Sequence, residues 1–369
     1  MINDYFNKAM LAFDKKEYSN AVAYFLQCKP DVNQAYSLYL GKAYFLNDQV
    51  YEAIACLNSY LENADKTHSQ AQMADAWDTL GQCYAALKNN KQAIVCFKNA
   101  QIASAFHNMA LVYMNLAATA KSPGSCFQSL SSALNFLETA LKQTEDNPMF
   151  FHSLASWYEQ YMQALEDYSQ EKEEPIEQIH GAYHKAMENY LKALSLTKDP
   201  VFKNVVAGNF TECMAQYGHF LYRNKKYQEA QVYYLQVIKA DPLHTSALNQ
   251  MGMALFKLGE FDQARTYFKQ LLWIPASSSQ DVADAWLNIA CTYRLEKNLD
   301  EAKKALDEAL RLAPKDNAII EEQEKFKLEV SKAALHTSPF TSFVVQPQQP
   351  PVEEHASLPS LTAKILTLE

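Results

Sequence analysis

Glycine and proline are scarce, with 8 and 13 residues in a chain of 369. A turn-rich β-protein needs far more of both, so the scarcity favours long helices with few breaks. No run approaches the ~20 apolar residues that a membrane-spanning helix requires. The opening stretch, Met1-Ile2-Asn3-Asp4-Tyr5-Phe6-Asn7-Lys8, lacks a basic segment followed by an apolar core, so no secretory signal is expected. Basic charge is also short. The net charge is -9 and no Lys/Arg run occurs, so the field needed to offset phosphates is missing and no nucleic-acid partner is expected. The seven cysteines are odd in number and form no CxxC pair. They read as free, buried thiols of a reducing compartment, and the expected location is cytoplasmic.

Catalytic signatures are missing as well. There is no P-loop, dinucleotide fingerprint, G-x-S-x-G elbow, H-E-x-x-H or EF-hand loop. His180 and His184 share a helical face, with Glu177 and Glu188 nearby, but no motif flanks them. They read as ordinary helix residues, not as metal ligands. Acidic stretches such as Glu321-Glu322-Gln323-Glu324 read as a solvated helix face. No enzyme, cofactor or metal is expected.

What is present is apolar material. Hydrophobic residues make up 49% of the chain, enough for a large core. A single core usually stops growing before this length, which points to two domains or to a repeat array. A repeat is visible. Its clearest unit runs Trp286, Ile289-Ala290, Tyr293, Leu299, Ala302, Leu306, Ala309, Pro314. Two antiparallel helices pack closely only where small residues sit at their crossing, and Ala290 and Ala302 hold those places. Pro314 stops the second helix because it has no N–H to continue it.

The frame recurs. Leu248, Met251-Gly252, Leu255, Phe261, Ala264 and Phe268 form the unit before. Met214, Tyr217-Gly218, Leu221, Tyr227, Ala230, Tyr234 and Pro242 precede that one. Trp77, Leu80-Gly81, Tyr84, Ala93 and Phe97 repeat it towards the N-terminus, as do Leu40-Gly41, Tyr44, Ala53 and Leu57. A degenerate first unit holds Tyr5, Ala9, Ala12, Tyr18, Ala21 and Phe25. Four of the eight glycines fall at the crossing position, where Gly costs about 1 kcal/mol against Ala in a helix. A packing demand explains that choice better than chance.

This pattern resembles the tetratricopeptide repeat family over roughly residues 1–316. The resemblance implies an all-α, right-handed superhelical solenoid of about eight helix pairs with a C-terminal capping helix. The expected organisation is a repeat array at 1–316, a capping helix at 317–336 and a Pro-rich tail at 337–369. Two middle units, at about 104–199, look expanded. One carries the loop-like Lys121-Ser122-Pro123-Gly124-Ser125 and the other the charged break Gln170-Glu171-Lys172-Glu173-Glu174-Pro175.

The resemblance implies a protein or extended-peptide partner, held on the first helices of each pair, which line the concave side. The position two residues after the leading aromatic reads Asn7, Tyr39, Thr79, Asn108, Ser153, Gln216, Gln250 and Asn288. Amides both donate and accept, so such a ladder can pair with a peptide backbone. Candidate contacts are Asn108, Gln216, His219, Tyr222, Asn249, Gln250, Asn288 and Arg294. A chaperone-type carboxylate clamp does not fit, since Asn249, Met253, Ala318 and Glu322 are the wrong types for it. The competing reading is a structural subunit of a larger complex, held through its convex face and insertions. Oligomeric state is not legible.

Overall fold

The computed structural model describes residues 2–28, 35–63, 69–168, 176–275 and 278–337. Among these are seventeen helices and no strand. In chain order they are α1 (Ile2–Asp14), α2 (Tyr18–Phe25), α3 (Tyr36–Leu46), α4 (Val50–Glu62), α5 (Gln70–Ala86), α6 (Asn90–Ala100), α7 (Ala103–Ala118), α8 (Pro123–Gln143) and α9 (Pro148–Tyr168). There follow α10 (Ile176–Leu196), α11 (Pro200–Arg223), α12 (Tyr227–Ala240), α13 (Thr245–Leu258), α14 (Phe261–Leu271), α15 (Ser279–Leu295), α16 (Leu299–Leu312) and α17 (Asn317–Thr337). The charged break 170–175 and the expected Pro-rich tail 337–369, apart from Thr337 at the end of α17, lie outside the described residues. The chain divides into two compact units, Met1–Gln270 and Leu271–Glu369.

Within the first unit, helices pack in sequence order. Each pairs with its partner (α1 with α2, α3 with α4) and touches the next pair. Odd helices also meet odd helices: α3 meets α5, α5 meets α7, α7 meets α9, and α11 meets α13. First helices therefore lie side by side from α3 to α9 and from α11 to α13, and side chains bridge α9 to α11, with His152 against Asn209 at 2.8 Å and Glu166 against Arg223 at 3.3 Å.

The crossing glycines explain the pairing. A Cβ added to Gly252 would lie 2.5 Å from Phe268 Cε1, and at Gly81 the same distance from Phe97 Cε1. At Gly218 it would lie 2.7 Å from Tyr234 Cε1, and at Gly41 2.8 Å from Leu57 Cγ. The residue met is in every case sixteen positions on, in the second helix. Phe97, Phe268, Tyr234 and Leu57 are all fully buried. In the α15–α16 pair Ala290 holds the glycine position and Leu306 stands sixteen residues on; both are buried.

Local signals set the ends. Ser69 accepts from the Gln72 N–H, Asn89 from Gln92, Asp199 from Val201 and Asn298 from Glu301. Such caps satisfy N–H groups that the helix leaves unpaired. Ser278 and Asp281 form a reciprocal capping box. The stretch Lys121–Ser125, expected to be a loop, is largely a helix start. Ser122 caps α8 and Pro123 sits in its first turn, where a missing N–H costs nothing. The middle expansion is thus built from longer helices. α8, α9 and α10 have 21 residues each and α11 has 24. The added length is packed with aromatics: Trp157 stacks on Tyr161 at 5.2 Å and donates its indole N–H to the Leu130 carbonyl at 2.8 Å.

In the second unit, α15 and α16 pair and α17 packs on both. Ile319 of α17 is fully buried. Arg294 of α15 grips Glu322 of α17 through two contacts, Nε–Oε1 at 2.5 Å and Nη2–Oε2 at 3.2 Å. Both side chains are largely shielded from water.

Candidate functional site

Helix α11 carries a polar stripe. Glu212, Gln216, His219 and Arg223 are spaced by four, three and four residues, which places them on one helical face. The opposite face, with Cys213, Met214, Tyr217, Gly218 and Leu221, is buried in the core. The stripe therefore points out of the first-helix layer, and neighbouring odd helices extend it. α9 adds Gln163 and Glu166, and α13 adds Ser246 and Gln250. Together these groups line a cavity of about 410 Å³, floored by Tyr183 and Tyr234.

The electrostatics are mixed. Arg223 pairs with Glu166 at 3.3 Å. Glu212 accepts a hydrogen bond from Gln216 at 3.2 Å and lies 3.6 Å from His244. Burial, and then the nearby Arg223, pull the His219 pKa below its ordinary value, which favours the neutral ring. A smaller cavity of about 240 Å³ adjoins through the shared Gln163. Its walls are Ala117, Ala118, Ala120, Cys126, Leu130 and Ala164, with Gln160 and Asp167 as polar members.

Of the eight candidate contacts, the structure brings three together here: Gln216, His219 and Gln250. The other five sit elsewhere. Asn108 of α7 donates to the buried Asp78 of α5 at 2.9 Å, and Ser104 donates to the same carboxylate at 2.8 Å. Burial pushes the Asp78 pKa upward, so its donors compensate a carboxylate taken from water. Tyr222 packs edge-on against Tyr227 at 5.3 Å, near the α11–α12 turn. Asn249 is half-buried on α13. Asn288 and Arg294 belong to the second unit; the first is half-buried and the second is bound to Glu322. The amide ladder is not uniformly exposed either. Thr79 and Ser153 are buried, bonded to the Asp75 carbonyl at 2.8 Å and to His107 at 2.7 Å.

The sequence reading missed Glu166, Glu212, Arg223, Gln163 and Ser246. The α11 stripe was findable, because its spacing is helical. The α9 members were not, since the repeat frame is stretched there and gives no alignment for their positions.

Other polar clusters are internal. The Tyr217 hydroxyl lies between His180 Nδ1, in a short contact, and His184 Nε2 at 3.2 Å. Those histidine nitrogens are thus engaged by a phenol. Among the described residues no group of three or more His, Cys, Asp or Glu is placed to hold a metal ion. No described helix is long and apolar enough to cross a membrane.

Paired helices of this length, small residues at each crossing and a first-helix layer define an all-α helical-repeat protein. Comparison with known proteins gives the family. Tetratricopeptide repeat models match residues 243–315 and, separately, 5–29, 74–101 and 211–242. The chain carries tetratricopeptide repeats over those residues, and such repeats mark it as a protein–protein interaction scaffold. Among curated proteins it is similar to the Photosystem I assembly protein Ycf3 of Cyanophora paradoxa. Identity is 29% over 133 residues, covering 32% of this chain and 72% of the relative. Among solved structures, YrrB, described as a TPR protein with an unusual peptide-binding site, matches at 20% identity and a TM-score of 0.39. That match covers 64% of this chain and 97% of YrrB. The human IFIT1 dimer with PPP-AAAA matches at 18% identity and a TM-score of 0.43, covering 85% of this chain and 65% of that one.

Proposed function

We propose that the first unit binds an extended segment of a partner protein on its first-helix layer, at the cavity between α9, α11 and α13, and acts without catalysing a reaction. The observation that carries this reading is the α11 stripe facing Glu166 and Gln250 across open space of about 410 Å³. Its groups donate and accept, as recognition of a peptide backbone requires. Cys213, on the opposite face of α11, is fully buried and burial pushes its thiol pKa up, so it is not poised as a nucleophile.

The test uses the full chain. Gln216, His219 and Gln250 are changed together to Ala, and separately Ser246 to Trp, an exposed position at which a large ring would fill the cavity. Proteins captured by the natural chain and quantified by mass spectrometry should be lost from both variants, with helical circular dichroism unchanged. Retention of the same partners by both variants would remove this site from the reading.

One observation favours a second reading, a subunit held by apolar contacts. The early turns of α11 expose Val201 at 71% and Val205 at 50%, with Leu191 of α10 at 53%. On that reading, Val201→Asp and Val205→Asp would release a partner that the cavity variants retain.

A further inference from the structure

From the groups left over when internal pairings are removed, we infer that the two cavities sharing Gln163 select a basic partner segment and take one Lys or Arg head group in each. This deepens the groove reading and rests on it.

Three carboxylates line the two cavities: Glu166 and Glu212 the larger and Asp167 the smaller. One guanidinium, Arg223, lines the larger, and Glu166 already binds that group at 3.3 Å. One carboxylate per cavity therefore lacks a fixed cationic partner in its wall. Glu212 is more than half exposed, receives a neutral amide from Gln216 and lies 3.6 Å from His244. Asp167 is exposed and receives a neutral amide from Gln163 at 2.7 Å.

A third acceptor points the same way. Gln160 lines the smaller cavity, and its side-chain oxygen, closed off from solvent, finds no hydrogen-bond donor among the described residues. A buried acceptor without a donor is costly, so a turn of that side chain towards a ligand that supplies one is favoured. Lys and Arg carry only donors, and acidic side chains carry only acceptors. The walls suit the remainder of a basic side chain. Ala117, Ala164 and Leu130 offer an apolar track for its methylenes while the charged head reaches the rim. An acidic segment would place like charges against Glu212 and Asp167 and leave Gln160 unpaired.

The probes are fluorescein-labelled Gly/Ser peptides carrying two Lys residues at varied separations, with matched Gln and Glu versions. Fluorescence anisotropy is measured on the full chain at about pH 8, where an ordinary imidazole is neutral. The best Lys peptide should bind roughly tenfold more tightly than its Gln or Glu counterpart, as expected for a charge-assisted hydrogen bond. Glu212→Gln and Asp167→Asn should each reduce that preference, and the double variant should abolish it. Glu308→Gln, in the second unit, should leave it unchanged. Equal binding of Lys and Glu peptides, or a Lys preference that survives the double variant, overturns the inference.

Two filling variants separate this from failure of the groove itself. If Ser246→Trp and Ala118→Trp abolish peptide binding while charge makes no difference, the groove stands and the basic preference falls. If both variants bind the peptides as the natural chain does, or if no peptide binds at all, the groove and the preference fall together.

Discussion

Adding one methyl group at Gly252 should destabilise the protein, and shrinking the ring it meets should reverse the sign. In an exposed helix, Gly→Ala stabilises by about 1 kcal/mol. At Gly252 the new Cβ would sit 2.5 Å from Phe268 Cε1 and 2.8 Å from Cδ1 and Cζ, where ordinary contact begins near 3.4 Å. The ring is fully buried, so it cannot swing into water, and α13 must move away from α14. Overpacking of that kind costs about 1–3 kcal/mol. Gly252→Ala should therefore lose up to about 2 kcal/mol net. Phe268→Leu alone should also destabilise, by opening a cavity. Placed on the Phe268→Leu background, Gly252→Ala should cost less than it does in the natural chain and should stabilise by up to about 1 kcal/mol, because the cavity left by the ring gives the new methyl room and a Leu can turn aside, as the Ala290 and Leu306 combination requires. Urea unfolding of the four proteins, followed by circular dichroism, closes the cycle. Gly208→Ala is the control: its Cβ would meet nothing within 4 Å, so it should gain most of the propensity term. If Gly252→Ala stabilises the natural chain as much as Gly208→Ala does, the crossing argument is wrong.

Other outcomes follow from buried polar groups. His107 is buried, and its pKa is lowered from 6.5 to about 4 by burial and then by His152. It therefore contributes stability that is full above pH 6.5 and is lost as pH falls towards 4, on the order of 3 kcal/mol. His107→Gln should flatten the urea midpoint across that window, and an unchanged slope would contradict it. Asp78 has the opposite sign. Its folded pKa is raised, so its contribution is present below its ordinary value of 3.8 and is lost as pH rises through the folded value. Asp78→Asn should remove that decline, read from urea midpoints between about pH 4 and 7. Removing one partner of the shielded Arg294–Glu322 pair strands the other, at about 3–5 kcal/mol. Glu322→Ala should thus raise amide exchange throughout α17 before it affects α11; uniform exchange rates in both would refute that assignment.

The repeat frame was legible because it answers to local physics. Tyr217-Gly218 before Tyr234 and Met251-Gly252 before Phe268 are visible as spacings, and the spacing alone implies a crossing. Caps such as Ser278 with Asp281 are equally local, and the Lys121–Ser125 stretch misled only because its Pro and Gly also suit a helix start. The polar site was only partly legible. Gln216, His219 and Gln250 followed from the frame, but Asn108 and Arg294 have the right residue types and are already committed, to Asp78 and to Glu322. Whether an outward polar group is available depends on what the next first helix presents to it, about thirty residues away in sequence.

The sequence by itself determined the helix pairs, their number and their all-α class. Those follow from the 3.6-residue period and from small residues opposite large ones. Only the tertiary structure decided where open space remains. The long α9, α10 and α11 bring Gln163, Glu166, Glu212 and Arg223 around one cavity. A cavity is the volume that packing leaves unfilled, and no single helix carries the information about what its neighbours fail to fill.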